Sequence, residues 1–107
     1  MTIQFNTDHN IKGSEKLRAP LEAVISEELS RFSSQITRLE VHLSDEDGNK
    51  NGQNDKRCMI EARHERMKPI AVTNHANTHE EAVEGAIDKL KTSLDTILGR
   101  LSNHSNR

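Results

Sequence analysis

Apolar and polar residues alternate from Arg38 to Arg63, on either side of a long polar interruption and with Met59 as the one apolar residue in the polar set. Leu39, Val41 and Leu43 alternate with Glu40, His42 and Ser44; Cys58, Ile60 and Ala62 alternate with Arg57, Met59, Glu61 and Arg63. A period of two over this length predicts two strands, buried on one face and open on the other. The interruption, Asp45 to Asp55, holds two Gly, three Asn and three Asp and reads as a hairpin loop that adds nothing to a core. Ile3 and Phe5 alternate with Gln4 and Asn6 in a short first strand. Met67-Lys68-Pro69 reads as a turn, and Ile70 to His75 as a weaker fourth strand with Ile70 and Val72 inward.

Two segments switch to helical spacing. Leu17, Leu21, Val24, Ile25, Leu29 and Phe32 share one face, behind Ser14 as a candidate N-cap. Pro20 removes the amide that would bond the carbonyl of Lys16, which predicts a kink or a later start. Glu28 falls near the middle of the stripe and is expected at a frayed edge with its carboxylate in water. The second helix follows a T-x-x-E capping pattern at Thr78 and Glu81, and Val83, Ala86, Ile87, Leu90, Leu94, Ile97, Leu98 and Leu101 form its stripe. The order is β-α-β-β-β-α: a right-handed crossover to a parallel neighbour, then a meander. One stripe per helix and one apolar sheet face predict an α+β two-layer sandwich, a four-stranded sheet with both helices on one face. Residues 1–102 form a single domain, and residues 103–107 are expected to be a disordered tail.

Composition narrows the functional classes. The core must be aliphatic, since 107 residues include two Phe, no Tyr and no Trp. A lone cysteine excludes an internal disulfide, and neither a secretory apolar region nor a membrane-spanning run is present, which points to the cytoplasm. The net charge of −2 means that any polyanion binding depends on segregated charge.

Charges do segregate. At 100° per residue, Lys89, Ser93, Thr96 and Arg100 line one flank of the last helix and Lys91 the other, with Glu81, Glu84, Asp88 and Asp95 toward the back. Lys, Arg, Ser and Thr all donate to phosphate oxygens, although an ordinary solvated helix face has the same composition. Lys16 and Arg18 lie near the first helix start, where free amides also favour phosphate. Arg38, Arg57 and Arg63, continued by Arg66 and Lys68, could form a basic stripe on the open sheet face; Glu40 and Glu61 interrupt it, and cross-strand ion pairing is the plainer reading.

Asp47-Gly48-Asn49-Lys50-Asn51-Gly52 has the oxygen spacing that opens a calcium loop. Cys58 stands where a bidentate Glu belongs, however, and strands replace the flanking helices. Neither Cys58 with His64 nor His75 with His79 has the spacing of a closed zinc site. No nucleophile–base pair, phosphate-cradling Gly loop or carboxylate pair is evident. The reading is of a non-enzymatic protein without metal or cofactor.

Ser14-Glu15-Lys16-Leu17-Arg18, Ile36-Thr37-Arg38-Leu39-Glu40-Val41 and Ala86-Ile87-Asp88-Lys89-Leu90 together resemble the ribosome hibernation factors, the ribosome-associated inhibitor or ribosomal subunit interface family, over Ile3 to about Leu101. The resemblance implies a fold related to double-stranded-RNA-binding domains. It also implies binding to the small ribosomal subunit and its rRNA, in the channel for messenger and transfer RNA, during stress or stationary phase. Lys89 matches a lysine among the family's RNA-facing basic positions and Arg18 matches the family's helix-one arginine, and the chain is similar to the short type, without the second, dimerising domain. The RNA-binding candidates are Lys16, Arg18, Arg38, Arg57, Arg63, Lys89, Lys91 and Arg100, on a protein expected to be monomeric when free, with no membrane or small-molecule partner. Five phosphate contacts would give a logarithmic salt slope of about −3 to −5. Duplex RNA is read mainly by shape and backbone, and the lack of aromatics argues against single-strand stacking. Only Arg100 is basic between Leu94 and Leu101, Glu80 replaces an expected aromatic, and the hairpin loop is acidic. These departures keep open a second reading, a regulatory protein-interaction module with weak or no RNA binding.

Overall fold

The computed structural model describes residues 1–8, 11, 14–46 and 54–105, with the side chains of Ser14 and residues 100–105 left aside. The elements follow as β1 (Thr2–Thr7), α1 (Ser14–Glu28), a 3-10 turn (Ser30–Phe32), β2 (Arg38–Asp45), β3 (Lys56–His64), β4 (Met67–Ala76) and α2 (His79–Ser105). The sheet order is β1-β2-β3-β4, with β1 parallel to β2 and the other two pairs antiparallel. This is the expected α+β sandwich.

Register turns the alternation into rows. Ile3, Leu39, Ala62 and Ile70 share one inward row; Phe5, Val41, Ile60 and Val72 share the next, followed by Leu43, Cys58 and Asn74. Leu39, Val41, Cys58, Ile60 and Ala62 are wholly buried. Against them pack Leu21, Ile25 and Leu29 of α1 and Val83, Ala86, Ile87, Leu90 and Leu94 of α2, in one core cluster. Each fully buried aliphatic side chain of Val, Leu or Ile size contributes roughly 1.5–3 kcal/mol, which is how a chain with two Phe sustains a core.

Several local expectations change. Pro20 lies inside a continuous α1 and is exposed, so the late start does not occur. Leu17 and Leu21 on either side of it keep the helix seated on the sheet, which offsets the bond that proline cannot make. The helix ends at Glu28 rather than running on to Phe32. A 3-10 turn then tightens the chain enough to keep Phe32 buried, with the Arg31 guanidinium 4.2 Å from its ring centroid. Met67-Lys68-Pro69 is not a turn. Glu65 and Arg66 make the connection, and Lys68-Pro69 forms a bulge at the start of β4. Proline is tolerated there because β4 is an edge strand.

At α2, Thr78 Oγ1 accepts from the amide of Glu81 at 3.1 Å and its hydroxyl donates to the Glu81 carboxylate, also at 3.1 Å. The expected cap is present. α2 passes beyond residue 102 to Ser105, since no Gly or Pro in that stretch stops it. Gly85 sets how close the helix lies to β4: a Cβ there would fall inside contact distance of the Asn74 amide. That amide donates to the carbonyls of Glu81 and Ala82, at 3.3 Å each.

Candidate nucleic-acid interface

The sheet order decides which cations can act together. Arg18 stands beside β1 and donates through Nη2 to Phe5 O at 3.1 Å, while its Nε meets Glu22 at 3.0 Å. Lys89 stands beside β4 and donates to Thr73 O at 2.8 Å. Each binds a backbone carbonyl on an edge strand, and the two edges are about 14 Å apart, three strand spacings. Arg18 and Lys89 therefore occupy opposite flanks and do not form one patch. Both also protect an edge that would otherwise present open backbone groups.

The sheet arginines are largely compensated. Arg38 pairs with Glu40 at 3.1 Å and also meets Gln4. Arg63 reaches Glu61 at 3.1 Å and Glu40 at 3.9 Å, and Arg57 lies 3.8 Å from Glu46. Exposed pairs of this kind contribute about 0–1 kcal/mol each, but they cancel much of the field a phosphate would feel. The pairing reading thus describes Arg38, Arg57 and Arg63. Lys91 is half-buried and bonds Glu28 at 3.0 Å, joining the two helices; Glu28 is exposed at the helix edge as expected. Lys16 is exposed with no ion-pair partner among the described residues. Lys89 has only a neutral carbonyl as its partner, so its charge is uncompensated. The side chain of Arg100 lies outside the described residues.

Two arrangements have no counterpart in the motif reading. Arg31 and Asp95 form a two-pronged pair at 2.7 and 2.9 Å, clamping the 3-10 turn to α2 and holding the Asp95 carboxyl below its ordinary range. At the root of the hairpin loop, Lys56 Nζ bonds both Asp45 and Asp55 at 3.1 Å. Asp45 and Asp55 are buried, and the bond to Asp45 above all raises the Lys56 pKa. Further bonds tie this root to its neighbours: the Asp45 amide donates to Asp8 Oδ2 at 3.4 Å, and the Asn54 amide donates to Asn77 Oδ1 at 2.7 Å. His79 closes the cluster. Its Nδ1 is buried with no hydrogen-bond partner among the described residues, and burial, helped by the Lys56 charge, lowers its pKa. The loop ends therefore do contribute to the interior, contrary to the expectation for Asp45 to Asp55.

Where the structure describes them, several residues of the calcium and zinc patterns are engaged elsewhere. Asp55, the further oxygen donor of the calcium pattern, is engaged by Lys56, and residues 47–52 lie outside the described residues. Burial pushes the Cys58 thiol up to about 12, and His64 Nδ1 accepts from the Arg66 amide at 2.9 Å. Among the described residues no cluster of three or more His, Cys, Asp or Glu could hold an ion, and no helix is long and apolar enough to cross a membrane.

A family model described as sigma 54 modulation protein / S30EA ribosomal protein matches residues 5–102. Among solved structures, the N-terminal domain of Thermus thermophilus Protein Y superposes with a TM-score of 0.69 at 20% identity, covering 91% of this chain and 99% of that one. A ribosomal subunit interface protein from Coxiella burnetii superposes at 0.70 with 14% identity, covering 92% and 99%. At such identities the superpositions establish the fold. No curated protein matches the chain.

Proposed function

The chain belongs to the sigma 54 modulation protein / S30EA ribosomal protein family, and on that premise we propose that it is a ribosome-associated translation inhibitor, a hibernation factor. It binds the small subunit and its rRNA in the channel otherwise used by messenger and transfer RNA, under stress or in stationary phase. The family match over nearly the whole chain carries this reading, and the Coxiella burnetii neighbour, a ribosomal subunit interface protein, agrees with it. Inhibition by occupancy needs a rigid body with cations on its surface and no chemistry. Lys16 at the start of α1 and Lys89 on the β4 side of α2 supply uncompensated charge on two different helices, suited to contact with RNA. Phosphate and shape, rather than base edges, would be recognised. The protein acts as a cytoplasmic monomer without a cofactor.

Co-sedimentation tests the reading. The wild type travels with 30S or 70S particles at low salt, and the Lys16→Glu, Lys89→Glu double variant is released. A wild type that stays at the top of the gradient refutes it. The ion pairs that neutralise Arg38, Arg57, Arg63 and Lys91 favour a second reading, a protein-interaction module of the same fold. A single protein partner recovered after nuclease treatment and moderate salt would select that alternative.

A further inference from the structure

The sheet row nearest the β3–β4 turn runs Thr2, Arg38, Arg63 across the first three strands. On β4 the bulge carries the row on. Ala62 faces Ile70 and His64 faces Met67, so Arg63 alone lies opposite both Lys68 and Pro69. Met67 and Ile70 pack on the core while Lys68 and Pro69 are exposed. Three cations thus succeed one another on three neighbouring strands, where directly opposed like charges are destabilising. Arg66 adds a fourth cation at the turn, whose shape is held by the bond from its amide to His64 Nδ1.

Compensation along this row is uneven. Glu40 and Glu61, one row away, take up Arg38 and Arg63. Glu65 shares the turn but pairs with neither neighbour, and Arg66 and Lys68 have no ion-pair partner among the described residues. The positive field therefore rises toward the β4 edge. Lys89 lies along that same edge, bonded to Thr73.

We propose that the β4 end of the Arg38–Arg63–Lys68 row, where Lys68 and Arg66 are left uncompensated while Glu40 and Glu61 hold the two arginines, is a second contact surface that grips the phosphate backbone of an RNA helix. The proposal rests on the ribosome-binding reading for the identity of that RNA, and it adds a surface that the helices do not supply. A linear row of cations complements a linear polyanion. Protein-binding hot spots draw on Trp, Tyr and Arg seated in well-packed, desolvated centres, and among the described residues no large hydrophobic is exposed to build such a centre around these cations. Without exposed aromatics, the surface lacks the usual platform for a run of stacked single-stranded bases.

The test is the Arg66→Gln, Lys68→Gln double variant, which leaves the pairs to Glu40 and Glu61 intact; unchanged thermal melting confirms its fold. Binding to purified 30S subunits across a salt series should weaken about tenfold, and the logarithmic salt slope should fall by about 1.5, for two lost phosphate contacts. If the wild type binds 30S and the variant matches it in affinity and slope, the row is not a contact surface, while the ribosome reading stands. If the wild type does not bind 30S, the ribosome reading fails and a generic duplex RNA, followed by fluorescence anisotropy, decides the inference separately. Weaker duplex binding by the variant then supports the row. Equal binding, or none by either protein, overturns it.

Discussion

Placing alanine at Gly85 and at Gly99 should change stability in opposite directions, although both are helical glycines of α2. At Gly99 an added Cβ meets nothing within 4 Å. The only expected effect there is helix propensity, a gain of about 0.5–1 kcal/mol. At Gly85 the same Cβ falls on the Asn74 side chain, 2.6 Å from its Cγ. Asn74 must then give up its bonds to the carbonyls of Glu81 and Ala82, at about 0.5–1.5 kcal/mol each. Where the amide has no room to swing aside, the helix lifts from β4 instead, and overpacking typically costs about 1–3 kcal/mol. Against these losses the propensity gain is the smaller effect, so Gly85→Ala should destabilise by about 2 kcal/mol net. At about 4–8 °C per kcal/mol for a domain of this size, Tm falls by roughly 8–16 °C, while Gly99→Ala raises it by a few degrees. Circular dichroism melts read both. In an Asn74→Ala background, Gly85→Ala should lose most of its cost, because the atoms it strikes are gone. A Gly85→Ala protein as stable as Gly99→Ala refutes the claim that close approach at Gly85 seats α2 on β4.

Lys56→Met removes the ammonium shared by Asp45 and Asp55. Breaking a buried pair costs about 3–5 kcal/mol; because the Lys56 side chain keeps 18% of its exposure, a loss of about 2–3 kcal/mol is expected in urea unfolding, and a loss below about 0.5 kcal/mol would show that the cluster holds nothing together. His79 gives a pH dependence of defined sign. Its folded pKa is lowered from 6.5, so the folded state favours the neutral ring. The stability this confers is present above the unfolded pKa and lost as pH falls through the folded value. Urea midpoints measured from about pH 7 down to about pH 5 should therefore drop further for the wild type than for His79→Gln, and parallel curves would contradict the sign.

The architecture was legible because its signal is periodic and redundant. Alternation at Leu39–Leu43 and Cys58–Ala62, with the stripe from Val83 to Leu94, determines which faces are buried and hence the two layers. Single-residue punctuation was less dependable. Pro69 suggests a turn, yet an edge strand accepts proline within a bulge; the real turn, Glu65–Arg66, has no Gly, Pro or Asn to mark it. Pro20 likewise sits in a helix held by its neighbours' burial. The Lys56 cluster was within reach of the pattern, since Asp45 continues the inward series Leu39, Val41, Leu43, and Lys56 precedes Cys58 with the same parity. Assigning the loop to begin at Asp45 hides it. The candidate interface was the least legible part. A sequence shows where cations lie along the chain, but their partners depend on register and on helix placement. Arg18 and Lys89 share a charge and a family-like position, yet the strand order sends them to opposite edges. Arg63 and Lys68 are five residues apart, and the bulge makes them neighbours.

In the proposed function the protein occupies the messenger and transfer RNA channel of the small subunit. Competition on purified 30S subunits tests it most directly, with labelled protein bound at low salt and messenger and transfer RNA added before or after it. Exclusion of the protein from programmed subunits, and of transfer RNA from subunits already holding the protein, is the predicted result. Simultaneous binding with undiminished affinity would contradict it.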